Sequence, residues 1–170
     1  DLSRFGNYQV IASDTGWVAK GYNRGVAAAR GRYVAIFHDD CLVLSPGWDR
    51  RMIGALDAGV IAVSTESVDN PNLGIEFLKG TPLVMTKSDY ERMGGHDENF
   101  FGGIEDLDFS FRIQAQGYSV RRIGVAYRHF RGMSTVILLS GRAGEMRTLF
   151  GYCLVPENVI EDWKGRYAGA

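Results

Sequence analysis

Short continuous apolar runs alternate along this chain with stretches whose apolar residues recur every three or four positions. The first pattern belongs to strands and the second to helices. Residues 8–12 predict a short strand. Ser13, Asp14 or Thr15 can then cap a helix that carries Val18, Tyr22, Val26 and Ala29 on one face, with Gly31 as its stop. Residues 33–37 are a continuous run of β-formers and read as a central strand buried on both faces. That run ends abruptly in His38-Asp39-Asp40. A turn at Ser45-Pro46-Gly47 leads to a helix marked by Trp48, Met52 and Leu56, then to a strand at 60–63. The polar stretch 65–74, broken by Pro71, reads as a loop, and 82–86 as another strand. Ser88 and Glu91 make a capping box for a short helix that Gly94-Gly95 ends. Residues 105–116 predict a helix with Leu107, Phe111 and Ala115 on one face and Gly117 as its stop. Strands follow at 119–123 and 125–130, and a closing helix over 156–167.

Strand alternating with helix predicts an α/β domain with a mixed, mostly parallel sheet flanked by helices. The chain of 170 residues reads as one domain, with its core over about 8–131 and an extension over 132–170 to which the pattern assigns no role. Charge changes the picture by exclusion. Lys and Arg number 19 against 20 Asp and Glu, which argues against a nucleic-acid binder driven by bulk charge. Cys41 and Cys153 stand far apart in neither metal-ligand nor redox spacing, and read as reduced thiols of a cytoplasmic protein, with a structural disulfide as the alternative. No apolar run is long enough to span a bilayer, so contact with a membrane would be peripheral.

Two acidic clusters carry the candidate chemistry. His38, Asp39 and Asp40 sit where a hydrophobic strand leaves the sheet, and in open α/β sheets ligands bind beyond the carboxyl ends of strands. Adjacent carboxylates repel unless a positive charge is shared between them. A divalent metal carrying a diphosphate meets that need, while a solvated turn is the bland alternative at even odds. The second cluster, Glu105, Asp106 and Asp108, crowds the first turn of a helix behind a loop rich in glycine and aromatics. One acid there is ordinary complementarity to the helix dipole; three exceed it. A carboxylate so placed can act as a general base toward a hydroxyl, and Glu105 and Asp106 diverge by about a quarter of a turn. His129, late in the chain between Arg128 and Arg131, is a structural imidazole or a metal ligand.

Taken together these motifs resemble the family 2 glycosyltransferases of the GT-A (Rossmann-like) fold. The resemblance is carried by the run from Asn23 to Asp40, by residues 94–101, by residues 105–112 with Gly117-Tyr118, and by His129. It implies that Asp40 binds Mg²⁺ or Mn²⁺ with the donor diphosphate and that His129 is a further metal ligand. Asn23, His38 and Asp39 would lie on the donor or nucleotide side. Asp106 would be the catalytic base, and Glu105 its neighbour orienting the acceptor. The implied reaction is inverting transfer from a nucleoside-diphosphate sugar to a glycan or lipid-linked hydroxyl, of the kind used in bacterial polysaccharide synthesis. His38 departs from the family, which usually has an acid there. The first fourteen residues are also too few for the strand–helix–strand unit that holds the base, so truncation at the N-terminus is expected. Sheet edges left open by such a gap would favour a homo-oligomer or a partner chain. Two alternatives remain beside transfer: a non-catalytic domain that binds metal and sugar nucleotide, and a phosphohydrolase using His38, Asp39 and His129. The second is poorly supplied with ligands.

Overall fold

The computed structural model describes residues 8–11, 18–38, 41–70, 75–79, 82–100, 105–129, 146–148 and 154–156. Four strands form the main sheet: β1 (Tyr33–Ile36), β3 (Val60–Ser64), β6 (Leu83–Thr86) and β7 (Ser119–Arg122), in the order β1-β6-β3-β7. Three two-stranded ribbons accompany it. They pair β2 (Cys41–Val43) with β8 (Tyr127–His129), β4 (Ser67–Asn70) with β5 (Ile75–Leu78), and β9 (Met146–Thr148) with β10 (Leu154–Pro156). The helices are α1 (Val18–Ala28), α2 (Trp48–Ile53), α3 (Lys87–Arg92) and α4 (Glu105–Ala115).

The domain is α/β with a mixed sheet, but it is not mostly parallel. Among the described strands the β3–β7 pair is parallel, while β1–β6 and β3–β6 run antiparallel. The expectation failed on β6, which enters the sheet between β1 and β3 and reverses the direction of both pairings.

Alternation on β6 divides the core. Leu83 and Met85 face a cluster built from Val26 of α1, Tyr90 and Met93 around α3, and Phe109 and Ile113 of α4. Val84 faces the other side with Met52, Val60, Val63 and Val125. Helices therefore cover both faces, and all five β3 residues are buried between them. Val60, Ile61 and Val63 among them each contribute about 1.5–3 kcal/mol by leaving water. The central strand is thus β3, not β1. Ala35 is exposed and β1 stands at one end of the sheet order, because a continuous apolar run does not distinguish a central strand from a half-covered one.

Other differences are local. Residues 8–11 form no strand, and Tyr8, Val10 and Ile11 are exposed. Within the stretch read as a loop, Ser67–Asn70 form β4, which pairs antiparallel with β5 beyond it. The cap of α3 is Thr86, whose hydroxyl accepts from the Asp89 amide at 3.0 Å and donates to the Asp89 carboxylate, two residues before the Ser88–Glu91 box. On α4 the buried side chains include Phe109 and Ile113, not Phe111 or Ala115. Pro156 lies in β10, and the rest of the helix read over 156–167 falls outside the described residues, as do Ser13–Thr15.

Candidate active site

The loop that follows α3 is built by close approach. Gly94 and Gly95 take φ of 81° and 67°, and a Cβ on Gly95 would stand 2.5 Å from Asn23 Oδ1. Only glycine accepts both the conformation and the contact. Asn23, on α1, grips this loop with its whole amide. Its Nδ2 donates to His96 O at 2.8 Å and to Glu98 Oε1 at 2.9 Å. Its Oδ1 accepts from the Tyr90 hydroxyl at 2.6 Å and from the His96 amide at 3.0 Å. Two acceptors facing Nδ2 and two donors facing Oδ1 set the orientation of the amide and fill its capacity. Asn23, expected on the donor side, is thus engaged inside the protein.

The same contacts decide a tautomer. Tyr90 must donate to Asn23 Oδ1, so its oxygen accepts from His96 Nδ1 at 2.8 Å, and His96 carries its proton there. Burial pushes the Tyr90 hydroxyl well above the usual phenol range, which keeps that donor in place. Burial also drives His96 down to about 3, helped by the nearby charges of Arg112 and His38. His96 is 1% exposed, and its Nε2 has no hydrogen-bond partner among the described residues.

Arg112 ties the loop to α4. Its guanidinium donates to Met93 O, to Gly95 O at 2.7 Å and to Asp108 Oδ2 at 2.8 Å. Asp108 is fully buried, so of the three acids at the start of α4 it is the structural one. Glu105 is also buried, at 7% exposure. Asp106 is half-buried, with Oδ1 accepting from the Leu107 amide at 2.8 Å. The helix is held on β5 by Leu78 N–H donating to Ser110 Oγ at 3.0 Å and by Gln114 Nε2 donating to Glu76 O at 2.6 Å.

At the start of β2 the Cys41 amide donates to His38 O at 3.3 Å. The antiparallel register then sets Cys41 opposite His129. The two half-buried imidazoles meet with centroids 5.5 Å apart and planes at 61°. Tyr22 lies parallel to His38 at 6.1 Å and edge-on to His96 at 5.1 Å, and His96 stacks on Phe109 at 4.4 Å. A ladder of rings thus runs from α4 through α1 to the end of β1, and it includes all 3 histidines of the chain. Asp39 and Asp40 lie outside the described residues. Among the described residues no group of three His, Cys, Asp or Glu side chains forms a metal cage, and no helix is long and apolar enough to cross a membrane.

Sequence reading missed Tyr90 and Arg112, and took Tyr22 for core alone. The four-residue spacing of Asp108 and Arg112 was a usable signal for their pairing. The grip of Asn23 on residues 95–98 spans more than seventy positions and leaves no local trace.

Residues 61–135 match the family model described as the N-terminal domain of galactosyltransferase. No curated protein and no solved structure gives a significant match to the chain. The matched stretch, less than half of the chain, is similar to a glycosyltransferase domain; it contains Glu105, Asp106 and His129 and ends the similarity short of Asn23, His38, Asp39 and Asp40.

Proposed function

We propose that this chain is the acceptor-side, catalytic portion of a metal-dependent inverting glycosyltransferase of the GT-A type. One observation carries the reading. The stretch similar to a galactosyltransferase domain includes both the acidic start of α4 and His129, and the β2–β8 ribbon holds His129 against His38, which Asp39 and Asp40 follow in sequence.

In this reading Asp106, the more open of the two leading acids on α4, takes the proton of the acceptor hydroxyl. The acceptor oxygen forms its bond to the anomeric carbon as the bond from that carbon to the diphosphate oxygen breaks, and the configuration inverts. Glu105 orients the acceptor beside Asp106. Asp40 and His129 would hold Mg²⁺ or Mn²⁺, and a bound cation would supply positive charge to the departing diphosphate. Carboxylate and imidazole together suit that class of ion, and the approach of the His38 and His129 rings fits it. Asp39 would contact the donor.

The test is a transfer assay over nucleoside-diphosphate sugars with Mn²⁺, starting from a galactosyl donor, with glycan and lipid-linked acceptors. Asp106→Asn should lower turnover by about 10²–10⁴-fold and keep donor binding. Unchanged turnover would sink the assignment of the base. Donor binding without turnover by the unaltered chain, over all acceptors, would leave a binding domain instead.

A further inference from the structure

The β2–β8 ribbon has two unlike faces. Its register alternates, so Cys41, Val43, Tyr127 and His129 share one face, and Leu42 and Arg128 share the other. The pairing runs on past β2, where the Leu44 amide donates to Ala126 O at 2.9 Å, and this adds Leu44 and Ala126 to the second face. The first face is half-buried throughout and the second is exposed throughout. Leu42 stands at 52% exposure and Leu44 at 57%; apart from residues 8–11 they are the exposed large hydrophobics among the described residues. Two leucines at alternate positions, with exposed Pro46 beyond them, make a patch rather than a scattered side chain. Arginines adjoin it. Residues 41–57 and 121–129 carry five arginines, all exposed, against two acids, in a chain whose net charge is −1. One of the acids, Asp57, is already met by Arg121 at 3.6 Å. Arg128 lies directly opposite Leu42, and Arg51 donates to Gly124 O at 2.8 Å, two residues from Ala126.

We propose that this face rests on an anionic lipid surface, with Leu42 and Leu44 entering the headgroup layer and the arginines meeting lipid phosphates. Charge complementarity points to such a surface, and size separates it from a protein partner. Two leucines, a proline and an alanine fall far short of the roughly 20–30 residues a side that a stable protein interface engages. A few apolar side chains with cations beside them suffice for reversible peripheral binding. The opposite face of the same ribbon carries His129, in ring contact with His38. A chain seated in this way holds that site one ribbon away from the lipid, where a lipid-linked hydroxyl would be the acceptor. That last step rests on the transferase reading; binding to the surface does not.

The experiment is co-sedimentation of the full chain with vesicles of phosphatidylglycerol and phosphatidylcholine in equal parts, and with vesicles of phosphatidylcholine alone, at low and high salt. The expected result is about tenfold or tighter preference for the anionic vesicles, weakened severalfold by high salt. Leu42→Ser and Leu44→Ser should each weaken binding by about tenfold, and Arg128→Gln by about fivefold. Unchanged unfolding midpoints establish that these exposed substitutions leave the fold intact. Failure to sediment with anionic vesicles, equal binding to neutral ones, or full binding by the folded double leucine variant overturns the proposal. A dimer that the leucine variants dissociate, in a chain that ignores vesicles, assigns the face to a second copy and also overturns it. Vesicle binding without sugar transfer to any acceptor keeps this inference and overturns the transferase reading. Transfer to a soluble acceptor by a chain that ignores vesicles does the reverse.

Discussion

His96 and the pair His38–His129 stand on one ladder of rings, yet their surroundings differ at every point. His96 is enclosed, hydrogen-bonded through Nδ1 to Tyr90 and gripped through its backbone by Asn23. His38 and His129 are half-buried and meet through ring contacts at the end of a three-residue ribbon. The first arrangement holds a neutral ring in one tautomer and uses it as structure. The second brings two half-buried rings into edge contact at 5.5 Å beside a short ribbon. The same residue type is a strut in one place and a candidate ligand in the other, and the difference lies in what the surrounding backbone supplies.

The comparison breaks most severely at Arg112. Arg112→Ala strips the buried Asp108 of its ion partner and frees two loop carbonyls, and should cost about 3–5 kcal/mol in a urea unfolding series. A loss under 1 kcal/mol would mean that the loop is not held from α4. Asn23→Ala should cost about 2–4 kcal/mol by leaving the His96 amide and the Tyr90 hydroxyl unmatched. Gly95→Ala should cost about 2–3 kcal/mol alone from its positive φ and the clash with Asn23. It should cost less in the Asn23→Ala background, since the clashing atom is gone; strict additivity in that double-mutant cycle would refute the close approach.

A pH series sharpens the contrast between the histidines. The folded pKa of His96, about 3, lies below the unfolded value of 6.5. Below 6.5 the unfolded chain takes up a proton that the folded chain refuses, so this group's stability is complete above 6.5. It declines by roughly 1.4 kcal/mol per pH unit as the pH falls toward 3. Unfolding midpoints compared between the unaltered chain and His96→Gln, from pH 7 to pH 4, should converge as the pH falls; parallel curves would place His96 in a far more open setting. The smallest effect belongs just past β2, where Leu44→Ser, at 57% exposure, should change stability by less than about 0.5 kcal/mol.

Much of the frame was legible beforehand. Helical spacing found α1 through Val26, and the glycine pairs and single glycines stopped α3 and α4 where they end. The acid-rich start of α4 and the late histidine stood out by type and position. What misled was information that apolar runs do not carry. The run at 33–37 looked central because its residues are all apolar, but only the pairing with β6 shows that β1 is half-covered. The Thr86–Asp89 cap displaced a Ser88–Glu91 pattern of equal appearance because the strand ends at Thr86 and not two residues later.

The sequence by itself determined the type of the main helices and sheet strands, the α/β class and the acids and imidazoles available for chemistry, since these depend on periodicity and side-chain type. Tertiary structure alone decided that β6 reverses the sheet, that Asn23 bonds to the loop after α3 and Asp108 to Arg112, and that His38 meets His129. Each of those depends on contacts between residues far apart in the chain, and no local spacing encodes which distant partner will satisfy a buried polar group.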